Sequence, residues 1–217
     1  MDDCAGQNRA AQSPPQAREE ASRPLIPGRG LMDSQRELVL HVDFISITAA
    51  ATAGRVAIVE AAADLARIEG VIGVGAIKGS AASDYDLAVY CLVATFIDLE
   101  PFGTHPRYTR FLQGTVAPYL RAFSGADVRL DGPLVDSKPF GACIAAEASA
   151  ETYDWEVSQQ LAGWAESLEG AVVGLAIGER QRYRGVALGF SDQPLTNRPN
   201  LRGFDLTYVS GAARRLA

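Results

Sequence analysis

The stretch Glu69-Gly70-Val71-Ile72-Gly73-Val74-Gly75-Ala76-Ile77 returns 100 positions later as Glu169-Gly170-Ala171-Val172-Val173-Gly174-Leu175-Ala176-Ile177. Each copy follows a segment with helical apolar spacing and precedes a second strand-like segment. The chain therefore reads as one unit used twice. Whatever sheet one unit builds, the other is on hand to cover it.

The pattern within each unit names the sheet. Leu38 to Thr48 alternates, with Leu40, Val42 and Phe44 on one face and His41, Asp43 and Ile45 on the other. Gly54 to Ile68 carries Val56, Val59, Ala63 and Leu65 at helical spacing. Strands are expected at Val71 to Lys78 and Tyr85 to Ala94, a helix from Leu99 to Phe123 entered at Pro106 and kinked at Pro118, and a strand from Ala126 to Leu130. This is β-α-β-β-α-β, the split order of ferredoxin-like folds. In the second copy strands are expected at Phe140 to Ala148, Ala171 to Gly178, Tyr183 to Phe190 and Gly203 to Ser210, with a helix at Trp155 to Leu168. Where a second helix belongs, Ser191 to Arg202 offers Pro194, Asn197, Pro199 and Asn200, which is loop chemistry.

The expected fold class is α+β: two ferredoxin-like β-α-β-β-α-β repeats forming an intrachain α/β-barrel pseudo-dimer, the second repeat lacking a helix. Residues 1–34 read as a disordered tail, because their Pro, Arg and Glu content cannot offset the entropy of ordering; Met32 is an alternative start. Repeat 1 spans 35–131, a linker 132–138 and repeat 2 139–217.

Composition removes several function classes. No run approaches the roughly 18 apolar residues of a membrane helix, and the first residues are acidic and polar, unlike a secretory signal. Cytoplasmic residence is the default expectation. Cys4, Cys91 and Cys143 are odd in number and widely spaced, so neither a disulfide framework nor a zinc pattern is read, and no metal or cofactor is expected. A formal net charge of -6 argues against nucleic acid. The expected partner is a small-molecule ligand, with the chain a monomer acting as its own pseudo-dimer, or a weak homo-oligomer.

Leu38-Val39-Leu40-His41 on the first strand, the strand Tyr85-Asp86-Leu87-Ala88-Val89, and His105-Pro106-Arg107-Tyr108 followed by Phe111 and Val116-Ala117-Pro118 together resemble the stress-responsive dimeric α/β-barrel (Dabb) family over residues 37 to 131. The second half resembles it only through the internal repeat. The resemblance implies two four-stranded sheets paired as a barrel and a pocket between sheet and helices, faced by the first-strand histidine. It extends distantly to olivetolic acid cyclase, a plant polyketide cyclase of this fold that pairs this histidine with a second one and a tyrosine. The chain departs from that set: Tyr108 stands where the second histidine falls, and Phe102 where the tyrosine falls.

His41 and His105 are the only histidines, so imidazole acid/base chemistry near neutral pH rests on one of them. Asp43 shares the strand face of His41, roughly 7 Å along, and can raise its pKa or orient its tautomer. The expected catalytic set is His41, Asp43 and Tyr108, with His41 as base and Tyr108 as phenolic donor. In the family register Val89 and Cys91 face the same pocket, and Phe102 and Phe111 complete its walls as substrate-binding residues. An aromatic or polyketide-like carbonyl compound is the expected ligand. A non-catalytic stress-response or ligand-binding barrel and a cofactor-independent monooxygenase are the alternatives.

His105 reads as a cap for the helix opened by Pro106. The glycine-rich Gly70 to Gly79 follows a helix and becomes a strand, the reverse of a phosphate loop, so its glycines read as helix cap and close strand approach. Cys143 falls near the position in repeat 2 that His41 holds in repeat 1 and reads as a structural thiol. Asp84 and Asp86 are a weak cation pair. Arg107, Arg110 and Arg121 on one helix, and Arg180, Arg182 and Arg184 at a strand turn, read as a solvated face or as a rim favouring an acidic ligand.

Overall fold

The computed structural model describes residues 37–48, 52–134, 138–147, 152–177, 181–195 and 198–217, all within the compact unit Ser34–Ala217. The tail expected at 1–34 lies outside the described residues. Eight strands follow in chain order: β1 Val39–Ile47, β2 Val71–Lys78, β3 Leu87–Val93, β4 Leu120–Leu130, β5 Phe140–Glu147, β6 Glu169–Ala176, β7 Gly185–Ser191 and β8 Asp205–Arg215. The helices are α1 Thr52–Ala62, prolonged by a 3-10 turn at Ala63–Arg67, α2 Leu99–Thr104, α3 Pro106–Arg110 and α4 Asp154–Ala165. Among the described residues no helix is long and apolar enough to cross a membrane.

The strands close an antiparallel barrel in the order β1-β3-β2-β8-β5-β7-β6-β4. Both halves run in one order, β4-β1-β3-β2 and β8-β5-β7-β6. They meet at two seams, where β2 pairs β8 at Ala76 with Arg214, and β4 pairs β6 at Arg129 with Leu175. Each half thus covers the other's open strand edges, which would otherwise invite pairing with foreign strands.

Side-chain alternation sorts the apolar residues into three layers. Leu40, Val42 and Phe44 point into the barrel and meet Tyr90, Cys143, Leu188 and Phe190 from both halves, so the interior is filled. The outer face of the first sheet, with Val39, Ile45, Val89 and Cys91, lies under Ile58, Leu65, Phe102, Phe111 and Val116. The outer face of the second lies under Val157 and Leu161 of α4. Each fully buried Leu, Ile or Phe contributes about 1.5–3 kcal/mol, so the fold rests on these layers. Among the described residues of Ser191 to Arg202 there is no helix, as expected; Leu195 and Leu201 from this segment pack on the sheet in its place.

The glycines of Gly70 to Gly79 have the two expected uses. Gly70, with φ of +84°, turns the chain from the first helix into β2, whereas Gly170, at +62°, lies inside β6 where its pairing with β7 shifts register. Gly75 lets the buried Tyr90 lie across β2: a Cβ there would stand 2.1 Å from the Tyr90 hydroxyl oxygen.

The larger departures from expectation are in the second helix and at β8. The helix expected through Phe123 breaks at His105, whose Nδ1 accepts from the Arg107 N–H at 3.1 Å, with Pro106 opening α3. A π-helical turn at Phe111–Val116 and a 3-10 turn at Ala117–Tyr119 end the helical run. Pro118 cannot supply the N–H a continuing helix needs, and β4 begins at Leu120, where Leu120 to Phe123 pair with Ile45 to Ile47 of β1. Arg121 therefore lies on a strand and shares no helix with Arg107 and Arg110. β8 runs past Ser210 to Arg215 because its end pairs with β2.

Gly75→Ala should destabilise the protein by about 1–3 kcal/mol through overpacking against Tyr90. Gly103→Ala, with nothing within 4 Å of its added Cβ, should be neutral or slightly stabilising; urea unfolding of both variants checks the contrast. His105→Ala should cost about 1 kcal/mol of stability through the lost cap, while leaving ligand binding unchanged.

Candidate functional site

Strand pairing carries His41 and Asp43 to the outer face of the first sheet, beneath α2 and α3. His41 lies opposite Cys91 on β3 and Asp127 on β4; Asp43 lies opposite Val89 and Gly125. The cap at His105 fixes the start of α3, and three residues later Tyr108 points down at the same spot. Its hydroxyl is 2.8 Å from His41 Nε2 and donates to Asp43 Oδ1 and Oδ2 at 3.1 and 3.2 Å. His41 Nε2 also lies 3.1 Å from Asp43 Oδ1, and His41 Nδ1 lies 2.7 Å from Asp127 Oδ1. Phe102 meets the imidazole edge-on at 5.0 Å, Tyr108 packs on Phe102 at 4.7 Å, and Phe111 follows. Val89 and Cys91 belong to the same buried cluster as Phe102, Tyr108 and Phe111.

The electrostatics follow from this packing. Asp43 is 1% exposed, and a buried carboxylate needs a counter-charge and hydrogen bonds. Burial alone would lower the pKa of His41, but the charge of Asp43 and the hydrogen bonds to Asp127 and Asp43 outweigh it and raise the pKa to about 10. At neutral pH the ring is an imidazolium whose Nδ1–H goes to Asp127 and whose Nε2–H is shared between Asp43 and Tyr108. Burial and the Asp43 charge push the Tyr108 hydroxyl well above the ordinary phenol range, so it stays a donor. The same two causes push the Cys91 thiol up and keep it neutral.

Every residue expected at the site is thus present in one cluster. Two partners were not anticipated. Asp127, 29% exposed at its side chain against 12% for His41, forms the open edge of the network. Gln181, from the second half, accepts from the Asp127 N–H at 3.1 Å and donates to the Ile177 carbonyl at 2.8 Å, while the Ile177 N–H donates to the Asp127 carbonyl at 3.0 Å. Ile177 also packs against the cluster. The second half therefore grips β4 at the residue that holds His41. Asp127 carried one sequence signal, a polar residue between the apolar Ala126 and Val128; its pairing with His41 required the register.

Several of the other candidates have structural partners. Arg107 pairs with Asp64 at 2.5 Å, Arg182 with Glu147 and Arg184 with Asp154 at 2.6 Å; none of them contacts the His41 network, and Arg180 lies outside the described residues. Asp84 holds Arg198 and the Tyr208 N–H, and Asp86 holds Arg55 and the Ile47 N–H, which leaves neither as a free cation ligand. Cys143 points into the filled barrel interior, on the opposite face from the one His41 occupies in its own sheet; burial pushes its thiol up. Among the described residues no group of three or more His, Cys, Asp or Glu is placed to hold a metal ion.

No protein-family model matches the chain, and no curated protein matches it. Among solved structures it is similar to an anthrone oxidase-like protein, at 10% identity and a TM-score of 0.59, over 84% of this chain and 94% of that chain. It is also similar to a putative monooxygenase from Lactobacillus acidophilus NCFM, at 12% identity and a TM-score of 0.51, over 83% and 95%. These likenesses show the fold, and a match above four-fifths of the chain takes in both halves. A Dabb family protein with a ferredoxin-like fold from Mesorhizobium loti matches at 20% identity and a TM-score of 0.37, over 45% of this chain and 98% of that chain.

The raised His41 pKa has a defined sign. The folded value of about 10 lies above the ordinary 6.5, so the folded state holds the extra proton in between. Its stabilisation is fully present below about pH 6.5 and is lost as pH rises through about 10. Thermal unfolding of the wild type should therefore fall more steeply than that of His41→Gln across this window; parallel curves would contradict the imidazolium. Gln181→Leu should lower the His41 midpoint seen by nitrogen-15 NMR, because Asp127 loses its cross-half support.

Proposed function

We propose that the N-terminal half carries a single acid/base site at His41 that acts on a small aromatic or polyketide-like carbonyl compound. In this reading the chain is an intrachain pseudo-dimer of two ferredoxin-like repeats, and the second repeat is retained as partner sheet. The supporting observation is the imidazole bracketed by two carboxylates, with a phenol donor on the inner one. His41, Asp43 and Tyr108 are the reacting set, and Val89, Cys91, Phe102 and Phe111 are the apolar walls. Because Asp43 and Asp127 hold the imidazole protonated at neutral pH, His41 starts as a proton donor. His41 protonates the developing enolate oxygen through one ring nitrogen, and Asp127 at the open edge takes the proton lost by the ligand. His41 thus works first as acid, a change from the base read in its bare sequence. The likeness to a protein described as anthrone oxidase-like fits this substrate class.

One observation favours a second reading, a non-catalytic barrel. Asp43, Cys91 and Phe102 are at most 1% exposed, which is the packing of a filled core. Nitrogen-15 NMR of His41 during titration with small phenols and aryl ketones separates the two. The enzyme reading expects saturable shifts at His41, abolished in Asp127→Asn and in Tyr108→Phe with the fold intact. No shift with any of these compounds would contradict it and leave the network as a structural one.

A further inference from the structure

A cleft that His41 does not line runs along α1. Helix α1 rests on β2 and β3 of the first sheet. At the seam β2 passes to β8 of the other half, which places Ala76 opposite Arg214. Small side chains on this outer face, Ala76 and Ala212, leave a trough of about 420 Å³ walled by Val56 and Val59 of α1. That volume is within the range of small-ligand sites, about 300–1,000 Å³. Val56 is 55% exposed on this wall.

The charges around the trough are unbalanced. Arg55, Lys78 and Arg214 line it, with Glu60 as the facing carboxylate. Arg55 is held by Asp86 at 2.6 Å, yet its Nε–H is buried without an acceptor, the sole such side-chain atom among the described residues. That atom is sealed from solvent, so the charges open to a ligand in the trough are those of Lys78 and Arg214. Lys78 and Arg214 form no ion pair among the described residues. With Asp86 spent on Arg55 and Glu60 on the wall, one positive charge is left over, in a chain whose net charge is -6.

We propose that this trough binds a small monocarboxylate with an apolar body, its carboxylate between Lys78 and Arg214 and its body on Val56, Val59 and the alanine floor. Because α1 and β2 come from one half and β8 from the other, such a ligand would tie the two halves together at the seam. It owes nothing to His41, so it stands or falls apart from the proposed acid/base site.

Isothermal titration of the full chain with octanoate and with benzoate tests it, with octylammonium as the control of opposite charge. Saturable one-to-one binding of at least one acid is expected, with a rise in melting temperature and no binding of octylammonium. Lys78→Met combined with Arg214→Gln should weaken binding at least about tenfold. Ala212→Phe, which fills the trough without altering charge, should do the same; all three positions are exposed, so the fold is retained. No binding of either acid up to about 10 mM would overturn the proposal. So would loss of binding in the charge variant alone with Ala212→Phe unaffected, which would mean ion pairing on an open surface.

Discussion

A four-stranded sheet of the order β4-β1-β3-β2 is apolar on both faces and open at both edges, and this constraint shapes everything else in the barrel. One face can be covered by its own helices. The other face, and the edges, must be covered by something else. Here a second sheet of the same order supplies both covers: it fills the barrel interior with Cys143, Leu188 and Phe190 and seals the edges at the β2–β8 and β4–β6 seams. Hydrophobic burial drives the pairing of the faces, and backbone hydrogen bonds fix its register.

The candidate site inherits its geometry from that closure. Asp127 lies on β4, which pairs with β1 on one side and β6 on the other. The pairing with β1 aligns Asp127 with His41, while the contacts with Ile177 and Gln181 hold it from the second half. The burial of Asp43 then decides protonation. A carboxylate that deep is tolerable only when paired and hydrogen-bonded, so it keeps a proton on His41 and another on Tyr108. The second half thus helps to hold the His41 network of the first.

Much of this was legible in the chain. Alternation in Leu38 to Phe44 placed His41 and Asp43 on one face, since strand periodicity is strictly two, and the repeated glycine stretch announced two like sheets. The capping role of His105 followed from its place before Pro106. What escaped was non-local or frustrated. The end of the second helix depended on Leu120 to Phe123 finding a partner in β1, a pairing between residues more than seventy positions apart, which overrode the helical spacing of Val116, Tyr119 and Leu120. Asp127 and Gln181 joined the site only through register. Cys143 was aligned with His41 within a residue or two, but a one-residue slip in a strand moves a side chain to the opposite face, and its thiol lies inside the barrel.

His41 rests as an imidazolium between two carboxylates, with Tyr108 as a neutral donor. Neutron diffraction on deuterium-exchanged crystals at neutral pH locates those protons directly. Deuterium on both His41 ring nitrogens and on the Tyr108 oxygen, directed at Asp43, is the predicted result. A ring carrying one deuterium, with the second proton on Asp43 or Asp127, would contradict the imidazolium.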